Sequence, residues 1–165
     1  MPDRNGKIFY TSITSLSHIS RFTGVVVCDG YSAYRKLDRE TEAIVFAGCW
    51  THARRYFADA LKALPKKEHE AARDTVAYEA IKRIGAIYHL DNQLAGLKPD
   101  DRRKQRQINL KPLVEAFFAW VKEIQISGRL SKGKTLEGIN YSIVSMVRNP
   151  VRSSTALRKQ QRRIT

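Results

Sequence analysis

Three short stretches hold the side chains best equipped for chemistry. Asp29 follows the apolar run Gly24–Cys28 (GVVVC) and precedes Gly30. An aspartate at the C-terminal end of a buried strand faces the crevice outside the sheet, where α/β proteins place carboxylates for ligands and metals. The blander reading is a turn aspartate in an ordinary Asp-Gly corner. Cys49 and His52 stand in Cys-x-x-His spacing, with Arg54 and Arg55 directly after them. That string fits half a zinc site, a thiol-imidazole nucleophile pair, or a buried thiol beside a histidine bonded to backbone or carboxylate. The other candidates, Cys28, His18, His69 and His89, fall at no recognised ligand spacing, and nothing nearby points to a lowered thiol pKa, so the buried thiol is preferred. The third set is basic: Arg54 with Arg55, then Arg102, Arg103, Lys104 and Arg106, then an arginine-rich tail from Arg152 onward, each usable for phosphate contacts.

Whole-chain arithmetic narrows the partners. Thirty Lys and Arg against sixteen Asp and Glu give 165 residues a net charge of +14, which favours polyanions but says nothing of the fold. The aromatic residues fall mostly on helical stripes rather than among the arginines, so non-specific contact with a DNA backbone is the most these residues support. No apolar run reaches the ~18 residues of a membrane helix, and residues 1–10 are too polar for a signal peptide, so the expected location is cytoplasmic with no membrane partner. Two cysteines make no disulfide framework. Phosphate-loop, dinucleotide-loop, zincin and serine-hydrolase motifs are absent from the sequence.

The elements that must position these residues follow from periodicity. Gly24–Cys28 and residues 43–48 read as short strands buried on both faces. Tyr31, Tyr34 and Leu37 lie between them at helical spacing, giving the order strand, short helix, strand. Residues 51–64 form the best helix, N-capped by Thr51, with Ala53, Tyr56, Phe57, Ala60, Leu61 and Leu64 on one face. That face is expected to pack on the sheet. Within residues 66–97 a second helix carries Val76, Ala80, Ile81, Ile84, Ile87 and Tyr88. Residues 98–111 read as a polar, basic connector. Pro112 opens a third helix with Leu113, Ala116, Phe117, Trp120 and Val121 buried, and residues 136–147 form a last short helix. Asp59 is expected to pair with Arg55.

The strings GVVVCDGYSAYRKL and AIVFAGCWTHARRYFADALKAL resemble the central region of transposases of the insertion sequence 66 family, which carry a strand-Asp-Gly-Tyr block and a Cys-Trp-x-His-x-Arg-Arg-x-Phe block. Weaker likeness extends to Pro2, Asp3, Arg4 and Gly6 in front, and to LEGINYS (residues 136–142) behind. The resemblance implies a ribonuclease H-like core in which two Asp and one Glu bind two magnesium ions, which stabilise the attacking and leaving oxygens of an in-line phosphoryl displacement. Asp29 corresponds to the second Asp, hence to a catalytic and metal-binding role, and Cys49 with His52 to a string that buttresses the site. The first Asp is expected upstream of the lead-in with which this chain begins. The Glu block expected after LEGINYS has no counterpart, since no Asp or Glu follows Glu137.

The expected fold class is therefore α/β: an incomplete ribonuclease H-like core followed by a mostly helical C-terminal half. The expected divisions are 1–64 as partial catalytic core, 65–147 as helical insertion and 148–165 as a disordered basic tail. The expected function is that of a truncated or degenerate DDE-type transposase, inactive alone, with magnesium bound weakly or not at all. DNA and an intact transposase copy are the expected partners. A noncatalytic DNA-binding or transposase-associated module is the alternative.

Overall fold

The computed structural model describes residues 9–10, 24–28, 44–65 and 71–146. Asp29, the turns around Tyr31, Tyr34 and Leu37, and the basic tail lie outside the described residues. Strands β1 (Phe9–Tyr10), β2 (Gly24–Cys28) and β3 (Ile44–Gly48) form one parallel sheet in that order. β2 and β3 pair residue for residue from Gly24 opposite Ile44 to Cys28 opposite Gly48. β-branched residues suit such strands. Val26 and Val27 point to opposite faces of β2, as successive strand residues must, and both are buried. The expectation of a strand covered on both sides holds.

Every described element after β3 is helical. Helix α1 (Trp50–Lys62) starts two residues earlier than a Thr51 N-cap implies, with Cys49 at the N-cap instead. A short 3-10 turn (Ala71–Asp74) leads into α2 (Val76–Gln93). The Thr75 hydroxyl caps α2, accepting the Tyr78 amide at 3.2 Å and donating to the Ala72 carbonyl at 2.7 Å. The buried stripe of α2 is Ala77, Ala80, Ile84, Ile87 and Asp91. Val76, Ile81 and Tyr88 flank it, half-buried.

The expected connector at 98–111 is instead helical. Helix α3 (Pro99–Gln105), a π turn (Arg106–Leu110) and α4 (Lys111–Ile126) run on from one another. Pro99 stands in the first turn of α3 with Asp100 and Asp101 beside it, which suits the positive end of a helix dipole. The π turn, in which the Lys111 amide donates to the Arg106 carbonyl, stands immediately before Pro112. A proline inside a regular helix lacks a donor and its ring strikes the carbonyl four residues back; the wider turn accommodates both defects. The extra residue also resets the phase of α4. Val114, Phe117, Phe118, Val121 and Ile124 face inward, whereas Leu113 and Ala116, expected inside, are exposed.

Gly128 (φ 63°) and Gly133 (φ 95°) take left-handed backbone at the two ends of the next loop. That loop delivers α5 (Lys134–Tyr141), which continues into a second π turn (Ser142–Met146) that touches β3. One hydrophobic core joins these pieces. Trp50 packs its ring 5.3 Å from Phe117 and 5.8 Å from Phe118, and Phe57, Ile84, Leu110 and Ile139 are fully enclosed around them. At roughly 1.5–3 kcal/mol per large side chain, this cluster is the main driving force for folding. The main partners of α1 are accordingly α2 and α5, and not the sheet as its apolar face suggests. Nothing in that face distinguishes a sheet from a helix pair as its cover.

Candidate functional site

The junction where β3 becomes α1 carries Cys49, His52, Arg54 and Arg55. Cys28 pairs with Gly48 at the last rung of the ladder, and Asp29, the next residue, lies outside the described residues. Gly48 is followed at once by Cys49, which is 8% exposed. Burial pushes the Cys49 thiol up, against the smaller opposing pull of the Thr51 and His52 backbone amides and the Thr51 hydroxyl. A protonated, enclosed thiol is neither a nucleophile nor a ready metal ligand at neutral pH, which favours the buried-thiol reading over the Cys-His enzyme.

Hydroxyl groups surround this junction. The Tyr141 hydroxyl, from α5, accepts the Cys49 backbone N–H at 3.0 Å and lies 3.4 Å from the Cys49 carbonyl, to which it donates weakly. The same carbonyl accepts the Ala53 amide at 3.1 Å, the first bond of α1. Tyr88 on α2 is pushed up to about 12, mainly by burial, with the Thr51 hydroxyl pulling the other way. His52 stands half-buried on the first turn of α1, and Arg54 and Arg55 beside it are exposed.

The second basic cluster divides. Arg102 is buried and its guanidinium reaches the Ala95 carbonyl at 3.5 Å. Arg106 is drawn onto Asp91 at 2.7 Å, with side chains 10% and 1% exposed respectively. Arg106 ties the π turn to α2, and Arg102 ties α3 to the link that follows α2. Arg103 and Lys104 alone of that cluster are exposed. Asp59 pairs with Lys62 at 3.9 Å rather than with Arg55.

Asp91, Tyr141, Tyr88 and Gly138 carry no site role when the sequence is read by itself. Asp91 offers a signal, because it falls on the stripe of Ile84 and Ile87, where an acid must find a partner. Tyr141 offers none, since its contact spans 92 positions. Among the described residues no group of three or more His, Cys, Asp or Glu could hold a metal ion. Cys49 and His52 are softer donors than magnesium prefers. The described residues do not fit a magnesium pair.

Residues 2–148 match the family described as Transposase IS66 family. The chain belongs to the IS66 family of transposases. Two curated relatives are the uncharacterized proteins y4qI and y4hP of Sinorhizobium fredii (strain NBRC 101917 / NGR234), each 31% identical over 134 residues. Those alignments take in 76% of this chain but 23% and 24% of the relatives, so the chain spans about a quarter of their length. No solved structure matches it. The IS66 match covers Asp29, the Cys49 to Arg55 string, the second basic cluster and Tyr141 alike.

Proposed function

We propose that this IS66-family chain contributes the central part of a DDE-type, ribonuclease H-like transposase core, binds DNA through its phosphates, and does not cut or join DNA by itself. The observation that carries the reading is the in-register parallel pair β2–β3. It brings the residue before Asp29 and the start of the Cys49-to-Arg55 string to one edge of one sheet. The division at 64/65 is proposed as a division of role, sheet-end chemistry before it and helical support after it, since the core itself crosses that boundary.

Inactivity alone is argued from the acids present. Two hard cations held for an in-line displacement need several carboxylate oxygens. Asp29 is the one carboxylate that the resemblance assigns, and no Asp or Glu follows Glu137. An intact transposase would then be the partner that supplies the rest of the site. The second reading, a noncatalytic DNA-binding module, draws on the exposed Arg54, Arg55, Arg103 and Lys104, which stay available for phosphate contacts while Arg102 and Arg106 are committed inward. No helix among the described residues is long and apolar enough to cross a membrane.

The test is incubation of purified protein with supercoiled plasmid and magnesium or manganese. The expected result is retarded but uncut plasmid. Nicking that disappears in Asp29→Ala would overturn the claim of inactivity. Absence of any DNA retention at low salt would overturn both readings.

A further inference from the structure

LEGINYS is the one sequence block to which the preceding function gives no task, and its tyrosine makes the longest-range polar contact to the candidate site. We infer that Tyr141 is a positioning residue for the β3–α1 junction that carries Cys49 and His52, acting through the Cys49 backbone; this rests on the reading that the Cys49-x-x-His52 string buttresses a site at the end of the β2–β3 pair. Cys49 is the residue at which the extended backbone of β3 turns into helix, and as the N-cap of α1 its amide has no acceptor within that helix. In an enclosed position such an amide must be satisfied from elsewhere. The Tyr141 hydroxyl does this at 3.0 Å and also approaches the carbonyl of the same residue.

The hydroxyl is itself held in place. Its ring packs 5.5 Å from that of Tyr56 at a tilt of 42°, and the α5 backbone is drawn against α1 where Gly138 meets the Phe57 ring. The fully buried Ser142 hydroxyl bonds back to the Gly138 carbonyl at 2.8 Å, keeping that last turn wound. The direction in which the chain leaves β3, and with it the placement of His52 relative to the end of β2, is therefore set from α5. A phenylalanine at 141 keeps the ring contact and removes only the bridge.

The experiment compares amide resonances of the full chain, Tyr141→Phe and Tyr56→Phe, which keeps the bridging hydroxyl. In Tyr141→Phe the resonances of Cys28 and Asp29 shift together with those of Thr51 and His52, and alkylation of Cys49, mapped by mass spectrometry, accelerates tenfold or more. Tyr56→Phe leaves Cys28 and Asp29 in place. Shifts confined to Cys49 and α1, or an unchanged alkylation rate, would overturn the proposal. Should Tyr141→Phe fail to fold, amide exchange in the unaltered chain decides: Cys49 protected as well as the core of α2 supports the bridge, and exchange at an exposed rate refutes it. Manganese added to the unaltered chain addresses the underlying reading separately. If it broadens neither Asp29 nor Gly48, the strand-end metal site fails while the action of Tyr141 on the junction stands.

Discussion

Two glycines inside helices make opposite demands. A Cβ at Gly138 would lie 2.8–2.9 Å from the Phe57 ring, whereas one at Gly85 meets nothing within 4 Å. Phe57 is fully enclosed and cannot swing away. Gly138→Ala therefore overpacks at about 1–3 kcal/mol, which exceeds the gain of up to about 1 kcal/mol in helix propensity. Gly85→Ala keeps that gain without a clash and is expected to stabilise by about 0.5–1 kcal/mol. Urea denaturation of both variants checks the opposite signs. Tyr88 gives a pH signature. Its phenol is held above the ordinary 10.0, at about 12, because burial disfavours the phenolate. Between these values the native chain keeps a proton that the unfolded chain has lost, so stability falls as pH rises from 10 towards 12. Tyr88→Phe removes that part of the alkaline slope, measured as melting temperature against pH.

The continuous α3–α4 segment depends on one buried ion pair. Asp91 on α2 holds Arg106 at the start of the π turn, and that turn in turn makes room for Pro112. Removing one partner leaves the other charge enclosed without compensation, a loss of about 3–5 kcal/mol. Asp91→Asn is expected to lose that much in denaturant midpoint analysis. The double change Asp91→Leu with Arg106→Met, similar in volume and uncharged, is expected to lose much less. Equal losses in the two would show that packing, and not the stranded charge, sets the cost.

Over the whole molecule the +14 charge predicts weak duplex binding without sequence preference, falling steeply with salt as counterions are displaced. Of the basic clusters singled out in the sequence, Arg54, Arg55, Arg103 and Lys104 are, among the described residues, the exposed members. Changing all four to Ala is expected to flatten the plot of log affinity against log salt by roughly 0.9 for each phosphate that is no longer neutralised, read by fluorescence anisotropy at several salt concentrations. Arg102→Ala is expected to lower the melting temperature and leave that slope nearly unchanged, because its guanidinium is spent on the Ala95 carbonyl.

The features legible in the chain without its fold are local or compositional. The two β-branched runs, the helix that follows the second of them, a last short helix within 136–147, and the charge all follow from neighbouring residues. The family was legible too, in the Asp-Gly-Tyr and Cys-Trp-x-His strings, because those motifs are contiguous. Packing in three dimensions was needed to choose the surface that covers α1, since an apolar face is equally content against a sheet or another helix. It was needed as well for the phase of α4, because the widened turn before Pro112 depends on Asp91, fifteen residues from the arginine that it holds. And it separated Arg102 and Arg106 from Arg103 and Lys104, four cations alike in sequence, by turning two of them inward where Asp91 of α2 and the Ala95 carbonyl just after it supply acceptors and leaving two in water. The Tyr141 bridge belongs to the same class. That the Cys49 amide finds no acceptor within α1 follows from its place before the first helical turn, but which hydroxyl reaches it is fixed only when α5 packs against α1.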